Sequence, residues 1–358
     1  MAFSERDAGF GRRLVAFLMA LAAAAASVSA PAARGQDAAD AGAGRHAAST
    51  PIVVVDDLDR RVEFERPPCR IVSLIPAATE IIYAVGAEDC LVGRSTYDDY
   101  PPRVEAVPNV GLAIGANVER VVDRRPDVVL LIAGSDNARS VDDFRRLGVP
   151  SLVFQLNRLE ELRSVIERLG RLLGREAAAD SLWRAIDGEL DDVAARTAEL
   201  ERPVIYYDIA YPPPITIGHG SYLDTLISIA GGRNAFHDVG VPSPTISLEA
   251  IAVRDPDLIL FPVAEEWGAA THPSERPLWS SLRAVRTGNV RRVEANPLHR
   301  LGPRVGRAVR ALAEVIHPGL FEGDVGARGD VGAGGDVGAK ADAGAGADAG
   351  ARAHAGAP

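Results

Sequence analysis

The stretch ERVVDRRPDVVLLI, residues 119–132, returns in altered spelling as EAIAVRDPDLILFP, residues 249–262, and this repetition decides the fold. Each copy has Glu first, an apolar residue two positions on, Arg five positions on, then Pro-Asp and an apolar run. Asn117 and Ser247 stand two residues before the glutamates, where a side-chain oxygen can cap the first free N–H groups of a helix. The glutamates then fall in the first turn, favoured by its positive end. Pro126 and Pro256 stop each helix after about two turns, because proline lacks an N–H and disfavours helical backbone in the residue before it. Val128 to Ile132 and Leu258 to Phe261 are unbroken apolar runs with β-branched residues, the pattern of a strand buried on both faces. A short helix, a Pro-Asp corner and a central strand, written twice, predict two lobes of like construction.

Upstream of the first copy the chain alternates. IVVVDDLDRRVEF reads as an opening hairpin, RIVSLI as a buried strand, AATEIIYAVGA as a helix starting after Pro76, and LVGRST as a strand. After the copy, DDFRRLGVPSLVF supplies one more helix and strand, so residues 51–157 form a lobe with a mostly parallel sheet covered by helices. Residues 158–201 carry apolar residues at helical spacing throughout, broken at Gly170 and Gly174. Their second part, from about Glu176, is long enough to span a small domain. Residues 202–320 restart the alternation with PVIYYDIA, the irregular loop YPPPITIGHGS, the helix SYLDTLISIAGG, the second copy, a loop at 264–277, the short helix SSLRAV, the strand NVRRVEA and a last helix from Gly302 to Ile316. The reading is an α/β chain of two Rossmann-like lobes on one long rigid helix. Two such lobes face each other across a cleft, a favoured place for a ligand.

The ends of the chain are of another kind. Arg12 and Arg13 precede LVAFLMALAAAAASV and then small residues, the layout of an export signal over residues 1–35, with cleavage fitting after Ala30, Ala33 or Gly35. The apolar run is short for a membrane span. No cysteine follows it, which argues against a lipoprotein. Residues 36–50 read as an Ala/Asp/Gly linker, and residues 321–358 repeat GDVGA-like units with almost nothing to bury, the composition of a disordered tail. Across 358 residues the apolar share of 47% and charged share of 25% are those of a globular protein. The net charge of −10 disfavours a nucleic-acid partner, although Arg300, Arg304, Arg307 and Arg310 make one local basic stretch.

Cys69 and Cys90 immediately precede two predicted strands, so adjacent parallel strands would bring them together; a disulfide and a free pair both stay open. Two cysteines without CxxC spacing argue against a thiolate metal site, and no HxH or HxxxH spacing supports a histidine one. GHGSY at 218–222 is not a nucleophile elbow, and no GxGxxG follows a strand and no P-loop occurs, so a hydrolase or other enzyme is the remote reading.

RIVSLIPAATEIIYAVGAEDCLVGRSTYDDYP, VPNVG, NVERVVDRRPDVVLL, AGGRNAF, ISLEAIAVRDPDLIL and LGPRVGRAVRALAEVIHP together resemble the periplasmic binding proteins of ABC importers for cobalamin, haem and ferric siderophores, with the cobalamin branch nearest. The resemblance implies a non-catalytic, monomeric periplasmic receptor with no cofactor. Its transported ligand would be cobalamin or a related corrinoid, delivered to an inner-membrane permease with its ATPase; haem or a ferric siderophore is the alternative. It implies that Glu119 and Glu249 each dock one lobe onto permease arginines. Among ligand-contacting candidates, Pro76, Ala77, Ala78 and Thr79 follow a strand's carboxyl end, where α/β sheets bind ligands. Tyr97 and Arg300 match ligand-contacting positions, and Tyr211 to Pro214, with Pro213 among them, form the equivalent loop of the second lobe. Ala113, Ile132 and Ser243 stand where cobalamin binders often present tryptophan, and Trp267 is a candidate substitute. His219 and His299 lie in predicted cleft loops and are candidate axial ligands to haem iron or a corrinoid cobalt.

Overall fold

The computed structural model describes residues 51–264 and 271–323, so the signal-like segment, the linker, Trp267 and the tail beyond 323 lie outside the described residues. The opening hairpin pairs β1 (Ile52–Val55) with β2 (Arg61–Phe64). Asp56 turns it by accepting from the backbone N–H groups of Leu58 and Arg60, each at 3.0 Å.

The first lobe follows as β3 (Ile71–Ser73), α1 (Pro76–Ala84), β4 (Leu91–Ser95), β5 (Asn109–Gly111), α2 (Val118–Val122), β6 (Val128–Ile132), α3 (Ser135–Arg146) and β7 (Ser151–Phe154). Its five strands are all parallel, in the order β5-β4-β3-β6-β7. Val72, Val129, Leu131 and Val153 pack on one face with Val121 of α2 and Phe144 of α3, which accounts for the unbroken apolar spelling of the central strands. The connector is α4 (Leu159–Leu173) and α5 (Glu176–Thr197). A β-carbon added at Gly170 would lie 2.4 Å from that of Ala179, so glycine is what lets the two helices cross this closely.

The second lobe comprises β8 (Val204–Tyr207), α6 (Tyr222–Ile229), β9 (Arg233–Asn234), α7 (Leu248–Arg254), β10 (Leu258–Val263), α8 (Arg283–Arg286), β11 (Val290–Glu294), α9 (Ala295–His299) and α10 (Val305–Ile316). Its strands are parallel in the order β11-β10-β8-β9. At 22 residues, α5 runs about 33 Å. It packs on α4, which itself lies on α1 and β1, and also on α10 and α6 of the second lobe. The Thr197 hydroxyl donates to the Ile229 carbonyl at 2.8 Å. One helix is thereby held by both lobes.

The repeated units do the same work in each lobe. Asn117 accepts from the Arg120 N–H at 3.1 Å and Ser247 from the Ala250 N–H at 3.2 Å, so both caps form. Arg125 and Asp255, each just before the proline, adopt positive φ of 49° and 44° and turn the chain out of the helix. The corner aspartates then act as staples: Asp127 accepts from the N–H groups of Cys69 and Arg70, both at 3.0 Å, and Asp257 from that of Val204 at 2.8 Å. Each staple locks the repeated strand beside the first strand of its sheet, β6 to β3 and β10 to β8, where the strand order reverses. Two edge strands, β5 and β9, escape a reading by periodicity because three and two residues carry no pattern. The last helix begins at Val305, three residues after the predicted start, since Gly302 to Arg304 turn across the lobe boundary.

Candidate functional site

The turn after β3 and the loop after β4 meet the segment after β11 in the other lobe, and side-chain contacts there define the junction. Glu80 of α1 is buried and receives two hydrogen bonds from Arg304, at 2.8 and 2.6 Å. Burial still pushes the Glu80 carboxyl up, outweighing Arg304 and Arg300. Asp99, in the loop after β4, is gripped by Arg300 through both guanidinium nitrogens, Nη2 at 2.7 Å, and by Asn296 at 3.2 Å. The Arg304 guanidinium sits 4.2 Å over the Tyr100 ring. Ala77 meets Gly302, where an added β-carbon would come within 3.4 Å.

These contacts place the first-lobe candidates. Pro76, Ala77, Ala78 and Thr79 are buried in the first turn of α1, and Ala77 of these meets Gly302 of the second lobe. Tyr97 is exposed in the loop of Asp99 and Tyr100. That loop is anchored from below by Asp98, whose carboxylate accepts from the N–H of Ser95 at 2.8 Å and from its hydroxyl. Burial raises the Asp98 carboxyl, opposed by the hydroxyls of Ser95 and Thr79. Ala113 and Ile132 are brought together by Asn137, whose amide donates to the carbonyls of Ile132 at 3.0 Å and Ala113 at 3.3 Å. Neither of these two residues presents an aromatic face.

In the second lobe Tyr211 and Pro213 cap a narrow bend closed by the Ala210–Ile215 bridge. Ser243 lies on the segment alongside, which is tied to it by the Thr216 N–H to Pro244 carbonyl bond at 3.1 Å. Tyr211 is fixed from behind. Its ring lies 4.4 Å from the Arg276 guanidinium and meets Trp279 edge-on at 5.6 Å. Arg276 is itself buried, donating to Asp208 at 2.6 Å and to the Thr271 carbonyl at 3.0 Å, while its buried Nη1 has no hydrogen-bond partner among the described residues. Burial raises the Asp208 carboxyl, partly offset by Arg276. Sequence reasoning missed Asp208, Arg276 and Trp279; the one available signal was an aspartate just past a strand's carboxyl end.

Arg300, a ligand candidate, is engaged with Asp99 and so joins the lobes. His299 and His219 are not brought together. The His299 Nε2 lies 2.9 Å from the Tyr207 hydroxyl, and burial, with a smaller push from Arg300, lowers its pKa to about 4. His219 is exposed on the far edge of the second sheet, beside His237. Glu119 and Glu249 are both exposed in the first turns of α2 and α7. Its own backbone N–H and the Ser247 hydroxyl hold the Glu249 carboxyl below its ordinary range.

A family model described as periplasmic binding protein matches residues 71–297. The chain is 32% identical over 281 residues to an uncharacterized ABC transporter substrate-binding lipoprotein, YvrC, of Bacillus subtilis, covering 76% of this chain and 87% of that protein. It is also 32% identical over 248 residues to the vitamin B12-binding protein of Vibrio cholerae, covering 68% and 87%. The solved structure of the periplasmic vitamin B12 binding protein BtuF of Vibrio cholerae aligns with a TM-score of 0.60 at 29% identity, covering 70% of this chain and 97% of that one. The apo form of the periplasmic heme-binding protein RhuT from Roseiflexus shares the fold, with a TM-score of 0.62 at 22% identity and coverage of 70% and 98%.

Proposed function

Because the chain belongs to the periplasmic binding protein family of ABC importers, we propose that it is the exported receptor that captures a corrinoid, cobalamin or a close relative, between its lobes and hands it to a membrane permease. The carrying observation is that strand-end segments of the two sheets meet across the lobes through Glu80–Arg304 and Asp99–Arg300. Relatives named for vitamin B12 at 32% identity over most of their length support the corrinoid class.

The chemistry of the walls agrees with a large, flat, partly apolar ligand. Tyr97 and Tyr100 are exposed on one side, and Tyr211 is braced on the other by Arg276 and Trp279. A braced ring loses little side-chain entropy when a ligand stacks on it, so more of the contact energy appears as affinity. Ala113, Ile132 and Ser243 leave more room than tryptophans would, which favours a ligand with bulkier substituents on one edge.

The rest of the receptor reading concerns delivery. Glu119 and Glu249 start equivalent helices on the two lobes and are the residues that dock onto the permease. The Arg12-Arg13 apolar leader exports the chain. The test is equilibrium titration of the purified protein with cyanocobalamin, haemin and a panel of ferric siderophores. Tight binding of a corrinoid, weakened at least tenfold by Tyr211→Ala, supports the reading. Binding of haemin with a Soret shift and no corrinoid binding would transfer the assignment to haem.

A further inference from the structure

Away from the junction of the lobes, three side chains of the second lobe converge on one point. Asp224, in the first turn of α6, is nearly buried, and the Asn234 amide donates to its Oδ1 at 2.8 Å. Its other oxygen, Oδ2, lies 2.8 Å from Nδ1 of His237, just past β9. His219, ahead of α6, sets its ring edge-on to that of His237 at a centroid separation of 5.1 Å. One oxygen and two ring nitrogens from these residues all lie within 4.8 Å of one another. Both imidazoles are exposed and border a groove of about 590 Å³ along the sheet edge, so an ion and its water can reach them.

We propose that His219, Asp224 and His237 form a binding site for a divalent transition-metal ion of the zinc type, independent of the ligand held between the lobes. Two imidazoles and a carboxylate with a fourth position open to water are a donor set that zinc accepts. In a tetrahedral site with bonds of roughly 2.0–2.1 Å the donor atoms stand about 3.3 Å apart. The Asp224–His237 pair is already near that spacing, and the exposed His219 ring has to swing inward by no more than about the difference from 4.8 Å. Asn234 supplies the outer support such sites use, holding Oδ1 so that Oδ2 points at the ion. Of the three arginines that line the groove, Arg254 is neutralised by Asp238 at 2.5 and 2.9 Å, and Arg202 and Arg233 line it as well. A simple Asp–His hydrogen bond accounts for His237 but not for the second imidazole. Bound there, the ion would pin the loop before α6 to the turn after β9.

The full chain, without an added histidine tag and stripped with a chelator, is titrated with zinc by calorimetry and melted with and without it. The expected result is one equivalent of zinc bound by the wild type beyond what His219→Ala or His237→Ala binds. Free zinc at 100 times Kd should raise Tm by roughly 5 °C, a rise both variants lose and magnesium does not produce. Both substitutions are at exposed positions, and the metal-free melts establish that the variants fold. Equal stoichiometry and equal Tm rise in wild type and variants, or no zinc bound by the wild type, overturns the site.

Discussion

His299 is neutral in the folded protein down to about pH 4, whereas an unfolded chain protonates it near 6.5. Between those values the unfolded state binds a proton that the folded state refuses, so this residue withdraws up to about 3 kcal/mol as pH falls from 6.5 to 4. The buried carboxyls of Glu80, Asp98 and Asp208, raised by burial, act in the opposite sense and favour the folded state as pH falls. Comparison with His299→Gln isolates the histidine. Urea melts from pH 4 to 7 should show the wild type losing stability relative to the variant at the acid end, and parallel curves would disprove the assignment. Cys69 and Cys90 meet at the starts of β3 and β4 with their sulfurs 2.7 Å apart, and burial, then Cys69 itself, pushes the Cys90 thiol up to about 12. We expect an oxidising compartment to close this pair, stabilising the fold by about 3 kcal/mol for a loop of this length. Thiol titration of the denatured exported protein should find no free cysteine; two reactive thiols would refute it.

At the scale of elements, the repeated helix-corner-strand unit separates residues spent on structure from the two glutamates that we propose dock onto the permease. Asn117, Ser247, Asp127 and Asp257 spend their side chains on caps and staples, whereas Glu119 and Glu249 project from the same helices into solvent. On α7, Val253 is 84% exposed one turn after Glu249, an apolar neighbour on the same face. Reversing both glutamates to arginine should set like charges against permease arginines at a cost of several kcal/mol and stop uptake. Ligand affinity of the purified receptor should not change. If both lobes engage one transporter, as proposed, each single reversal should already weaken uptake, since losing one contact forfeits its effective concentration. Normal transport by the double variant, or loss of ligand binding, would return these residues to plain helix-start charges.

Across the whole molecule, α5 and the junction pairs make the lobes one body. Glu80 is 3% exposed and Arg304 16%, so removing one partner strands a charge away from water. Glu80→Ala should therefore cost about 3–5 kcal/mol, while Glu80→Leu with Arg304→Leu should cost clearly less, since a buried pair replaced by apolar residues leaves no unpaired charge. Denaturant unfolding of the three proteins checks this. Equal losses in single and double variants would mean that the pair contributes packing alone.

The two-lobe α/β plan, the order of its longer elements, both helix caps and the adjacency of the cysteines were legible in the chain, because each rests on local rules: apolar period, capping oxygens, proline stops and the pairing of consecutive strands. The repeat added that two lobes share one design. Contacts between residues distant in the chain were not legible. Arg300 engages Asp99 across 201 positions and Arg304 engages Glu80 across 224. Arg276 braces Tyr211, and Asp224 gathers two histidines that no metal-ligand spacing announced. Such pairings depend on where sheet edges and strand-end loops come to rest, and loop closure over that distance leaves no periodic trace in the sequence. Tertiary structure alone decided them.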